Sequence, residues 1–169
     1  MERSSNTGEG ANNLTCGFSV AQLLAHALVI ELEAMRSYRE LAELMEQSGN
    51  TEVATIFTKM SNIEAKHATT IDEQACDFQL PELTPWEYRW RGLEPPENID
   101  RARLHEHMTP HQALSLALDN EKCAYAFFVD VVDDSRDEYV REFAAEFAAE
   151  EEQHIGWVEE WLAKAFASH

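Results

Sequence analysis

Apolar residues recur three or four positions apart over four long stretches of this chain, the spacing that keeps one face of an α-helix buried. The first stretch carries Leu24, Leu28, Met35, Tyr38, Ala42 and Met45, and the second Val53, Ile56, Met60 and Ile71. The third carries Leu114, Ala117, Ala124, Phe128 and Val132, and the fourth Phe143, Phe147, Val158 and Trp161. Local chemistry sets the boundaries. Ser19 with Gln22 makes a capping box, and Phe18 and Leu23 are placed for a hydrophobic staple. Gly49 stops the first helix and Asn50 caps the second, which is expected to run from about Thr51 to Asp77. Thr109, Pro110 and Gln112 open the third helix, and Ser135 with Glu138 marks the start of the fourth.

The links are as informative as the helices. Helices one and two, and again three and four, are separated by only a few residues, so each pair is an antiparallel hairpin. About thirty residues, Phe78 to Met108, lie between the hairpins and carry Pro81, Pro85, Pro95 and Pro96. One long crossover between two helical hairpins predicts an all-α, ferritin-like four-helix bundle. The polar, Gly- and Asn-rich residues 1–17 read as a flexible tail, and residues 18–169 as the bundle domain.

Each apolar stripe is interrupted by acid. Glu31 falls between Leu28 and Met35, and Glu121 between Ala117 and Ala124. Glu64 and His67 fall between Met60 and Ile71, and Glu151 and His154 between Phe147 and Val158. Four carboxylates and two imidazoles would then face one interior, where unpartnered charge costs several kcal/mol per group. Two divalent ions balance four carboxylates, and a Glu and a His three apart lie side by side on one helical face. The competing explanation is a purely structural hydrogen-bonded set. Mixed carboxylate and imidazole donors suit iron or manganese and can also hold zinc. The helical period selects Glu31 over Glu33, which is turned away and expected to be solvent-facing or paired.

These residues resemble the rubrerythrin-like branch of the ferritin-like superfamily over roughly residues 19 to 166. The stretches that carry the resemblance are Glu31-Leu-Glu-Ala-Met-Arg-Ser-Tyr38, Glu64-Ala-Lys-His67, Glu121-Lys-Cys-Ala124 and Glu150-Glu151-Glu152-Gln153-His154. The resemblance implies two iron ions per subunit, ligated by Glu31, Glu64, His67, Glu121, Glu151 and His154. It also implies reaction of the reduced metals with peroxide or dioxygen, and a homodimer. Three residues after the helix-three ligand, where the family usually has a further ligand glutamate, this chain has Ala124. The family often carries a cysteine-ligated rubredoxin domain, whereas Cys16, Cys76 and Cys123 here form no Cys-x-x-Cys pair. An external electron donor such as a rubredoxin or flavoprotein is therefore expected. Two other roles share the ligand set: iron storage in a ferritin-like shell, and a di-iron hydroxylase.

Composition narrows the partners. The net charge of −19 repels phosphate backbones, so no nucleic-acid binding is expected. The longest apolar stretch near the N-terminus, Ala27 to Ile30, stops at Glu31, so no membrane span is expected and the location is taken as cytoplasmic. Tyr38 and Tyr125 lie a turn or two from ligand acids, where a hydroxyl can hydrogen-bond to a ligand or simply pack. His105, His107 and His111 read as exposed loop histidines. Cys123 reads as a small packed side chain, and the pairs Trp86/Trp90 and Trp157/Trp161 as core or subunit interface.

Overall fold

A computed structural model describes residues 17–90, 94–99, 101–105 and 107–167. It contains four long helices: α1 (Val20–Gln47), α2 (Thr51–Ala75), α3 (Pro110–Asp134) and α4 (Glu138–Ala167). A 3-10 turn, Arg101–Arg103, lies in the crossover. The helices pair as α1 with α2 and α3 with α4, so the bundle is built from two hairpins, the architecture the link lengths require. All but the last residue of the expected tail at 1–17 lies outside the described residues.

Helix starts follow the expected caps at α1 and α3. Ser19 Oγ accepts from Gln22 N–H while Gln22 Oε1 accepts from Ser19 N–H, and Thr109 and Gln112 repeat the arrangement. Gly49 ends α1 at φ +80°, with Gly49 N–H bonded to the Glu46 carbonyl and Asn50 N–H to that of Met45. Asn50 is the N-cap of α2, as expected, with its carbonyl accepting from Ala54 N–H, but its side chain makes no cap bond. Helix α2 ends at Ala75, two residues short of the expected Asp77, because Cys76 and Phe78 turn back onto Glu73 and Ala75. Ser135 does not open α4. It closes α3 by donating its N–H to the Val131 carbonyl, and Asp137 is the cap, with Oδ1 accepting from Tyr139 and Val140 N–H.

The core forms two apolar layers. One contains Phe18, Ile30, Ile71, Ala124, Phe128 and Phe147; the other contains Tyr38, Phe57, Met60, Ala117, Ile99 and Val158. Glu31, Glu64, Glu121 and Glu151 occupy the level between them. The fully buried line on α1 runs through Ala27, Ile30, Ala34, Tyr38 and Leu41, whereas Leu28 and Met35, expected in the core, are only partly buried. Their place nearest the acid is taken by alanine. A buried alanine lies one turn from every ligand-candidate glutamate: Ala27 and Ala34 by Glu31, Ala68 by Glu64, Ala117 and Ala124 by Glu121, and Ala148 by Glu151. Small side chains there leave room beside the carboxylates, where leucine or methionine would close it.

The crossover packs through His26. Its ring sits among Phe18, Tyr88, Trp90 and Phe127, with centroids 4.7, 5.0, 4.9 and 6.1 Å away. Nδ1–H donates to the Gln22 carbonyl at 2.7 Å, and Nε2 accepts from Arg89 N–H at 3.1 Å. Both nitrogens are used by the neutral ring. Burial, opposed by the Gln22 bond and aided by the Arg89 charge, lowers the His26 pKa to about 4. The folded state then binds fewer protons than the unfolded chain, whose histidine titrates near 6.5. This contribution is complete above about pH 6.5 and is lost as pH falls toward 4; the shift corresponds to about 3 kcal/mol. Because buried acids raised above their usual range contribute with the opposite sign, the loss is read as a difference: between pH 7 and 4.5 the wild type is expected to lose stability relative to His26→Gln. The same pH dependence in both proteins would remove His26 as its source.

Candidate metal centre

Each helix brings its polar residues to the level between the two apolar layers. Glu31, Glu64 and Glu151 are 1% exposed, Glu121 0% and His154 2%. The His67 side chain is 21% exposed, so the site faces outward on its side. All six residues singled out in the sequence come together here. His67 Nδ1 lies 3.5 Å from Glu31 Oε2 and 3.4 Å from Glu64 Oε2. His154 Nδ1 lies 3.2 Å from Glu121 Oε2, 3.4 Å from Glu64 Oε1 and 3.5 Å from Glu151 Oε2. Glu64 therefore presents one oxygen to each imidazole. The two rings are parallel, with an interplanar angle of 3° and centroids 5.2 Å apart.

Among the described residues, two donor groups are compact enough to hold an ion: Glu64, His67 and His154, and Glu121, Glu151 and His154. Separations of 3.2–3.5 Å are about those between adjacent ligands around an ion with bonds of about 2.1 Å. Only the His154–Glu121 contact, at 3.2 Å, makes a hydrogen bond. Both oxygens of Glu31, Glu64 Oε1, His67 Nδ1 and Glu151 Oε2 are buried with no hydrogen-bond partner. Natural interiors rarely tolerate such atoms in one place, and cations supply the missing partner. The donor set fits a metal pair.

Protonation shows the same strain. Burial, with the Glu121 and Glu31 carboxylates, pushes Glu64 up to about 8 against the lowering effect of His67 and His154. Burial likewise raises Glu151 well above the carboxylate range, with Glu121, Glu31 and Glu64 adding to it. Burial works against both imidazolium ions, but the carboxylates outweigh it: His67 is raised to about 10 by Glu31 and Glu64, and His154 to about 9, chiefly by Glu121 and Glu64. Without metal, the site holds protons where metals would sit.

The neighbours sort cleanly. The Tyr38 hydroxyl donates to Glu121 Oε1, and Trp157 stacks on His154 at 5.3 Å. Glu33 pairs with Arg36 at 2.8 Å on the outer face of α1. Glu150 is half-buried and Glu152 exposed. His105, His107 and His111 are exposed and belong to no donor group among the described residues. Cys123 is exposed rather than packed, and Trp86 and Trp90 do not pair: Trp86 is 81% exposed while Trp90 stacks on Tyr88. One residue was not anticipated. Glu97, in the crossover, is 1% exposed, and both its carboxylate oxygens lack hydrogen-bond partners. It lies in an irregular segment, where no helical period could have singled it out.

A family model described as rubrerythrin matches residues 22–162, a span that contains all four helices' polar positions. A crystal structure of an uncharacterised conserved protein from Magnetospirillum magnetotacticum MS-1 is similar over 87% of this chain and 95% of that one, with 36% identity and a TM-score of 0.73. No curated protein sequence matches the chain. Among the described residues, no helix is long and apolar enough to cross a membrane.

Proposed function

Since the chain belongs to the rubrerythrin family, we propose that it is a di-iron oxidoreductase whose metal pair is held by Glu31, Glu64, His67, Glu121, Glu151 and His154. The observation that carries this reading is the set of buried, unpartnered donor atoms contributed by α1, α2 and α4, with Glu121 of α3 beside them. Two ferrous ions bound there supply one electron each, the two electrons that, with two protons, reduce hydrogen peroxide to two waters. Glu64 with His67 would hold one ion, and Glu151 with His154 the other. Glu64 faces both imidazoles and would contribute to both ions, while Glu31 and Glu121 would add a carboxylate beside each histidine. Tyr38 holds Glu121 by its hydroxyl and so fixes which oxygen faces the site. The apolar layers above and below exclude bulk water, and the partly exposed His67 marks the side on which a small oxidant enters.

The reading includes a homodimer supplied by an external rubredoxin or flavoprotein, without nucleic-acid or membrane partners. Free, exposed Cys76 and Cys123 suit the reducing cytoplasm. Dioxygen as oxidant, in a ferroxidase cycle, needs no donor because fresh ferrous iron brings the electrons. Rapid mixing of the anaerobic ferrous protein with peroxide or with dioxygen tests the proposal. Iron oxidation is expected to be faster than for free ferrous iron with at least one oxidant. Glu31→Gln should slow it by at least about tenfold, since it removes charge at a ligand position. Glu33→Gln, at a surface ion pair, should behave as wild type. Oxidation no faster than that of free iron would reject the redox role in favour of metal storage.

A further inference from the structure

Glutamates in irregular surface segments are ordinarily solvated. Glu97 follows Pro95 and Pro96 in the crossover, yet it is 1% exposed, and neither carboxylate oxygen has a hydrogen-bond partner. Its main chain is fixed from two helices. Ser37 Oγ on α1 donates to the Glu97 carbonyl at 3.1 Å, and Asn120 Nδ2 on α3 donates to the same oxygen at 3.0 Å. Ile99 N–H donates in turn to Ser37 Oγ at 3.4 Å. Ser37 and Asn120 are buried and immediately precede Tyr38 and Glu121, the residues joined by the Tyr38 hydroxyl bond. The crossover is therefore held at the level of the candidate centre, with Ile99 in the apolar layer that contains Tyr38.

A pinned peptide that places an unpartnered carboxylate inside a bundle needs a counter-charge. The groups that act on Glu97 electrostatically are Glu151, Glu121, Glu64 and Glu31, the acids of the candidate centre, so its carboxyl lies near that centre; without a cation, burial and these acids favour its neutral form.

Resting on the metal-pair reading above, we propose that Glu97 is a fifth carboxylate ligand of the centre, delivered by the crossover rather than by a helix. The charge count gives it a role. Four glutamates neutralise two divalent ions, so a fifth leaves one excess negative charge on the reduced pair and lowers the net charge of the oxidised pair from +2 to +1. Glu97 thus favours the oxidised state and ties the crossover to metal occupancy.

The test uses the full-length apo protein and cobalt(II), whose visible absorption reports its ligands. Wild type is expected to bind two ions per chain. Glu97→Gln keeps size and removes charge; it should weaken one of the two ions by at least tenfold against a competing chelator and alter the absorption band. Glu97→Asp, which keeps the charge on a shorter arm, should recover part of the affinity. Wild-type binding of two ions with Glu97→Gln unchanged in affinity and spectrum overturns the assignment of Glu97 alone. Failure of wild type to bind two ions overturns the metal pair itself. Should Glu97→Gln not fold, Glu97→Asp is read in the same titration: weaker binding with a shifted band supports ligation, and an unchanged titration overturns it.

Discussion

Anaerobic titration of the apo protein with ferrous iron is expected to saturate at about two ions per chain, and Glu64→Ala and His154→Ala to fall well short of it. The two variants should differ in kind. Glu64 presents an oxygen 3.4 Å from each imidazole, so its loss touches both ions. His154 supplies one nitrogen, which can bind one ion, so His154→Ala should mainly abolish one of the two. Changing residues that merely orient metal ligands costs about 10–100-fold in affinity. Removal of a ligand should therefore cost at least about 100-fold. The dependence on pH has a definite sign. His67, raised to about 10, and His154, raised to about 9, carry protons at neutral pH in the metal-free site. Those protons must leave before the nitrogens can bind metal, so uptake releases protons and affinity falls as pH is lowered. Titration calorimetry in two buffers of different ionisation enthalpy measures the release. Unchanged stoichiometry and affinity in both variants would remove these residues from the site.

The second large effect is on stability. Metal that binds the folded chain and not the unfolded one stabilises by mass action, about 2.7 kcal/mol per site at a hundredfold excess over Kd. For a chain of this size, that raises the melting temperature by about 5–10 °C per site. The apo protein should be folded, because the two apolar layers are complete without the ions, but it should melt lower. The individual acids are not equivalent. Both oxygens of Glu31 lack hydrogen-bond partners, and its close neighbour His67, at 3.5 Å, is partly exposed and keeps Glu64, so Glu31→Leu should leave the apo protein about as stable as the wild-type apo form. Glu121 accepts from the Tyr38 hydroxyl and lies 3.2 Å from His154 Nδ1, so Glu121→Leu strands two buried polar groups. It should cost about 1–3 kcal/mol relative to Glu31→Leu. Thermal melts of the apo and metal-loaded proteins and of both apo variants decide the matter. A melting temperature indifferent to metal, or a Glu31→Leu protein that does not fold, would show that Glu31 is not the buried, unpartnered acid described.

Helix number, hairpin pairing and the level of the polar residues were legible in the sequence because they depend on short-range facts. A 3.6-residue period assigns each side chain to a face. Thr109-Pro110 and Ser19 with Gln22 fix helix starts through bonds made within one turn, and links of a few residues leave no choice but an antiparallel partner. Glu31 was separable from Glu33 for the same reason, since two residues rotate a side chain by about 200°, to the opposite face of the helix.

Finer features were decided by the tertiary structure. A helical stripe is broad enough to contain both Leu28 and Ala27, and only packing between hairpins placed the alanines against the acids. Ser135 and Asp137 compete for one cap over three residues, and the path of the chain out of α3 settles which serves α4. Residues in the crossover lie beyond the reach of any period. That Trp86 is exposed while Trp90 stacks near His26, and that Glu97 is buried while its peptide is bonded to Ser37 and Asn120, follows from contacts between segments 23 to 60 or more residues apart. Periodicity encodes which face a residue takes. The environment met by an irregular segment depends on how the helices pack around it.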